Sequence, residues 1–71
     1  MVRTKFWVTG IEPKEGGGSI ITLMAVNSGS EENKRFFQLT PAGNIRLETV
    51  NPEAADEFQM GKMYYVDFTE A

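Results

Sequence analysis

The sequence predicts an all-β domain with one short helix. Its expected form is a small five-stranded SH3-like barrel or a strongly bent antiparallel sheet, with a helical turn between the fourth and fifth strands. Three observations carry this. Arg3 to Ile11 alternates, with Val2, Thr4, Phe6 and Val8 on one side and Arg3, Lys5, Trp7 and Thr9 on the other, as a half-exposed strand does. Turn-forming stretches rich in Gly, Pro, Asn and Ser recur between short apolar runs. Asn51-Pro52 then opens a short helix directly before a final aromatic, β-branched run.

After the first strand, Pro13 to Ser19 contains three successive glycines, whose chain freedom no regular element tolerates, and reads as a mobile hairpin loop. Ile20 to Val26 is almost continuously apolar, the pattern of a central strand covered on both faces. Asn27 to Lys34 is polar and turn-rich, a surface loop with room for one helical turn begun at Ser30. Arg35 to Leu39 reads as a third strand. Thr40-Pro41-Ala42-Gly43 has the proline and glycine spacing of a type I turn with a glycine bulge, and Asn44 to Val50 pairs back as a fourth strand. In that fourth strand Ile45 and Leu47 point inward and Arg46 and Glu48 outward.

Asn51 accepts from a free backbone N–H of the following turn, and Pro52 occupies the first helical position, where no N–H partner is needed. Glu53, Asp56 and Glu57 set negative charge near the positive end of this helix, while Ala54, Ala55 and Phe58 turn inward. Gly61 is the expected helix terminator, and Lys62 to Phe68 the last strand. The expected core is Phe6, Val8, Leu23, Ile45, Leu47, Phe58 and Val66. Tyr64 and Tyr65 must face opposite ways, one to the core and one to a surface or interface.

The chain has 71 residues and is read as one domain, 1–71. At this size a domain buries only about 60% of its unfolded surface. With no cysteine and no histidine, neither a disulfide nor a zinc site can brace the core, so packing and self-association must. Nothing resembles a membrane span or the apolar middle of a signal peptide, and the expectation is a soluble, unprocessed protein without a membrane partner. Seven basic and ten acidic residues give a net charge of −3, which opposes general attraction to nucleic acid or anionic lipid. The imbalance lies in residues 53–71. Residues 1–52 are close to neutral and must supply any anion-binding surface.

Catalysis is not expected, because the usual general base and the strongest nucleophile are both missing. Glu31, Glu32 and Asn33 lack the alternating acidic spacing of a calcium loop, and neither a metal nor a cofactor is expected. Ser28-Gly29-Ser30 and the triple glycine read as plain turns, not phosphate cradles. The informative set is Arg3, Lys5 and Trp7 on one strand face, with Lys34, Arg35 and Phe37 beginning another. Basic and aromatic side chains interleaved on a sheet can neutralise a phosphate and stack a base. Packing is the favoured reading of the aromatics, with Trp7 and Phe37 completing the second face of a bent sheet or a subunit contact, since large aromatics in a small protein are usually needed for packing. Asp67 shares a face with Met63 and Tyr65, and pairing with Arg3, Lys5 or Arg46 on a neighbouring strand is its simplest role.

Ser28 to Lys34, Phe36-Phe37, Thr40 to Gly43, Asn51 to Ala55, Phe58 and Gly61 to Phe68 together carry a resemblance. The chain resembles, from about Phe6 onward, a group of short bacteriophage-encoded proteins that mostly lack an assigned function. No binding or catalytic residues are carried over from that group. The resemblance implies a phage origin and the cytoplasm of an infected bacterial host as the setting, or association with the virion. With the residue set above, it leads to a non-catalytic, self-associating protein that captures a small ligand such as a nucleotide signal, of a counter-defence type. A single-stranded nucleic-acid-binding module and an inhibitor or virion accessory protein acting through protein contact are the two alternatives.

Overall fold

The computed structural model describes residues 1–71. Four strands, β1 (Val2–Pro13), β2 (Ser19–Ala25), β3 (Asn44–Thr49) and β4 (Met63–Phe68), form one antiparallel sheet in the order β3-β2-β1-β4. Helix α1 (Glu31–Leu39) lies between β2 and β3, and the short α2 (Pro52–Asp56) between β3 and β4. The sheet is open. β3 and β4 are edges that never meet, so the expected barrel does not close, and there are four strands where five were expected.

The missing strand is Arg35–Leu39, which is helical. Ser30 caps α1 by accepting the Asn33 N–H on its hydroxyl at 3.0 Å, and Glu31 and Glu32 stand in the first turn against the positive end of the helix dipole. No β-branched residue falls between 31 and 39, so nothing opposes propagation once the cap has nucleated it. Thr40–Gly43 consequently links a helix to a strand and forms no tight hairpin. Gly43 keeps an ordinary negative φ, and β3 pairs with β2, setting Leu23 against Ile45 and Ile21 against Leu47.

β1 serves both halves of the sheet. Val2–Trp7 pairs with β4 and Phe6–Pro13 with β2, and the register slips between Val8 and Gly10. Thr9 is the extra residue of this bulge, and its hydroxyl donates to the Thr22 carbonyl at 3.2 Å. β2 is central, bonded on both sides, but only one of its faces is buried: Ile21 and Leu23 are covered, whereas Met24 on the other face is 49% exposed, so the expected cover on both faces is not found. The core face of the sheet carries Phe6, Val8, Ile21 and Leu23, all buried, with Ala25, Ile45, Ala55, Phe58, Tyr64 and Val66 packed around them. Leu47 shares this face but is 41% exposed, because β3 is an edge with no further strand to cover it.

Asn51 caps α2 as expected, its side-chain oxygen accepting the Glu53 N–H at 3.0 Å. Gly61 does not end this helix, which stops at Asp56. It has φ 79° in the turn that enters β4, and its N–H donates to the Val8 carbonyl. Tyr64 takes the core side of β4 and locks that turn, its hydroxyl accepting from the Gln59 N–H and donating to the Glu57 carbonyl, each at 3.0 Å. No helix is long and apolar enough to cross a membrane.

Candidate functional site

The strand alternation that buries Phe6 and Val8 turns Arg3, Lys5 and Trp7 to the opposite face, where Met63, Tyr65 and Asp67 of β4 stand beside them. α1 lies over this face. Residues 32, 36 and 39 recur at helical spacing, which aims Glu32, Phe36 and Leu39 at the outer end of β1 and β4. Arg3, Glu32, Arg35, Phe36, Leu39 and Tyr65 enclose an open cleft of about 360 Å³ there.

Tyr65 is the centre of this cleft. Its hydroxyl donates to a Glu32 carboxylate oxygen at 2.5 Å, and the same oxygen accepts from Lys5 Nζ at 3.1 Å. The Tyr65 ring stands 6.1 Å from Phe36, centroid to centroid, at an interplanar angle of 47°. The Arg3 guanidinium lies over the ring, 4.9 Å from its centroid. Arg3 is itself held in place by Asp67, through Nε at 2.7 Å and Nη2 at 2.9 Å. Such a two-point pair fixes the plane of the guanidinium as well as its charge.

These contacts shift four ionisations. The Tyr65 hydroxyl first and Lys5 second hold Glu32 below the usual carboxylate range. Donation to Glu32 raises Tyr65 above its ordinary value. Across the Arg3–Asp67 pair, hydrogen bonding lowers the carboxyl and raises the guanidinium. The charged residues that line the cleft are Arg3, Arg35 and Glu32, two basic groups and one acidic, a locally positive site on a negative protein.

Arg35 is the cation of the cleft without an ion pair. Each of Arg3, Lys5, Lys14, Lys34 and Arg46 forms one, whereas Arg35 and Lys62 form none, and of these two only Arg35 lines the cleft. It lines the cleft together with Phe36 and Leu39, and its side chain makes no hydrogen bond within the chain. Arg3 and Arg35, distant in sequence, thus line one cleft, with Lys5 behind its wall. The structure does not gather the rest of the sequence-derived set there. Trp7, 37% exposed, lies between Met24 and Met63 across the sheet. Lys34 pairs with Glu31 at 3.3 Å on the outer side of α1, and Phe37 is exposed on the helix away from the cleft lining.

Glu32, Phe36, Leu39 and Tyr65 are the lining residues that sequence reasoning missed. Reading Arg35–Leu39 as a strand hides their common face. The i, i+4, i+7 spacing of 32, 36 and 39 was the available signal.

Sheet and cleft together define a structural class: a four-stranded open antiparallel sheet, with a capped helix on one face and a helical turn on the other. No family model, curated protein or solved structure matches the chain.

Proposed function

We propose that the protein is a non-catalytic binding protein, of phage origin and working in the cytoplasm of the infected host, that self-associates and captures a small anionic ligand. A ligand with a flat ring and one or two phosphates, such as a nucleotide signal, suits the cleft best. The observation that carries this reading is Arg35, a guanidinium without an ion pair beside the apolar surface of Phe36 and Leu39. A guanidinium fork offers paired N–H donors to a phosphate, and an adjacent aromatic edge favours a planar group over a bare ion. Glu32 is already engaged by Tyr65 and Lys5, so its charge is largely countered inside the site. The phage setting comes from the sequence resemblance.

Isothermal titration with mononucleotides, cyclic dinucleotides and inorganic phosphate tests the proposal. At least one nucleotide should bind more tightly than phosphate, and Arg35→Glu should weaken it by about tenfold or more, the loss of one charge-assisted contact. Trp7→Ala should leave that affinity unchanged. Absence of binding by every nucleotide would end the reading. Affinity that instead rises with the length of a single-stranded oligonucleotide and falls steeply with salt, by about 0.7 log units per phosphate contact for each tenfold rise in salt, would replace it with single-strand binding.

A further inference from the structure

The free edge of β3 has the pattern of a surface made for a second copy of itself. The Ala25 N–H donates to the Gly43 carbonyl at 3.0 Å, and the β2–β3 register continues through Leu23–Ile45, Ile21–Leu47 and Ser19–Thr49. Bonding alternates along an antiparallel strand, so Ile45, Leu47 and Thr49 bond inward to β2. Asn44, Arg46 and Glu48 therefore present their backbone N–H and C=O groups outward, along an edge that no strand covers. Unpaired groups of this kind are a template for another strand unless side chains forbid it.

Here the side chains select a partner. Arg46 and Glu48 flank Leu47, both on the face of the sheet opposite the core; they lie 3.3 Å apart within the chain, and Glu48 also pairs with Lys14 at 3.5 Å on its other oxygen. An antiparallel pairing of two β3 edges about a two-fold axis at Leu47 sets Arg46 opposite Glu48 of the second copy, and Glu48 opposite its Arg46. The four charges then alternate in sign around the axis, and the two half-exposed Leu47 side chains meet on the core side. The neighbouring axes that hydrogen bonding also allows pass through Arg46 or Glu48, and each sets a like pair face to face. The other edge has no such rule, because β4 carries a single charge, Asp67, and so no self-complementary pair.

We infer that the protein dimerises through β3, edge to edge about a two-fold axis at Leu47, to form a continuous eight-stranded sheet. An isologous contact of this kind needs a self-complementary patch, which Arg46-Leu47-Glu48 supplies. The inference gives a surface to the self-association proposed above and rests on that part of the reading. The two ligand clefts lie beyond this contact, at the β1–β4 end of each copy.

Sedimentation velocity over a range of protein concentrations tests it with charge variants. The wild-type chain should show a monomer–dimer equilibrium. Arg46→Glu and Glu48→Arg, each alone, put like charges opposite one another twice, and should raise the dissociation constant by about tenfold or more. An equimolar mixture of the two variants should recover the dimer, since Glu at position 46 then meets Arg at 48 and Arg at 46 meets Glu at 48. Leu47→Lys, which sets two ammonium groups at the axis, should also separate the copies and needs no charge reversal. Single variants and Leu47→Lys that dimerise like the wild type, or a mixture without recovery, would overturn the β3 contact while leaving self-association by another surface. A wild-type chain that stays monomeric would overturn both, and ligand capture would still be decided by the Arg35 titration.

Discussion

On one face of the sheet Phe6, Val8, Ile21 and Leu23 meet as hydrocarbon, and Phe58 and Tyr64 close over them. On the other face Arg3, Lys5, Tyr65 and Asp67 meet α1 through charges and hydroxyls, and the largest apolar side chains, Trp7, Met24 and Met63, stay 37–49% exposed. One set of strands makes both faces, so the contrast belongs to the alternate residues and to what covers them. The first face is held by area removed from water, a force without direction that tolerates a thin cover. The second is held by directional pairs, most of them in contact with solvent and of small value to stability, around one buried polar side chain, Asn33, which donates to the Ser28 carbonyl. The core face thus supplies most of the folding free energy, and the α1 face supplies the placed functional groups.

The sharpest test uses neighbours in sequence. Leu23→Ala, on the core face, should cost about 2–5 kcal/mol, whereas Met24→Ala, one residue on and 49% exposed, should stay within about 1 kcal/mol. Urea denaturation measures both, and similar losses would mean that the α1 face is a second core. Ser30→Ala comes next, with about 1 kcal/mol expected from the lost cap of α1. Because α1 carries one wall of the cleft, the same change should also weaken nucleotide binding in the titration.

The smallest effect lies in the pH dependence, where the Tyr65–Glu32 bond is visible from both ends. Glu32 is lowered on folding, so its contribution is full above the ordinary glutamate pKa and is lost as pH falls through the depressed folded value. Tyr65 is raised, so its contribution is full below the ordinary tyrosine pKa and is lost as pH rises through the elevated folded value. Asp67, lowered by Arg3, adds to the acid limb alone. Stability measured from acid to alkaline pH should therefore show a central plateau, and Glu32→Gln should shallow the slope at both ends. Unchanged slopes would place the bond among surface contacts of no energetic weight.

The same contrast explains what the sequence reveals. The core face was legible in Phe6 and Val8, because period-two alternation is a direct record of one-sided burial, whereas the unbroken apolar run of β2 gave Leu23 but not the fully buried Ile21. The caps at Asn51 and Pro52 also carried their own geometry. Leu47 misled because alternation reports which face a side chain takes, not whether its strand has an outer neighbour. Arg35–Leu39 misled because five residues are too few to separate a period of two from one of 3.6, and the deciding information, Ser30 bonding to Asn33, sits upstream of them. The cleft was half legible for the same reason: Arg3 and Arg35 stood out by charge, but Tyr65 and Glu32 acquire their roles only when α1 crosses the sheet.

The β1–β4 pairing joins residues as far apart in the chain as Val2 and Phe68, while the β1–β2 hairpin turns over at Pro13 and Ser19. Closing a long loop costs more chain entropy than closing a short one, so the order of assembly should run from the hairpin outward, with β4 arriving late. Native-state hydrogen exchange reads this order, with β4 amides expected to open before those of β2. Arg3 and Tyr65 face each other only after β4 has docked. The cleft is thus a property of the last folding step, and any molecule bound between Arg3 and Tyr65 would act as a latch on the strand most prone to leave.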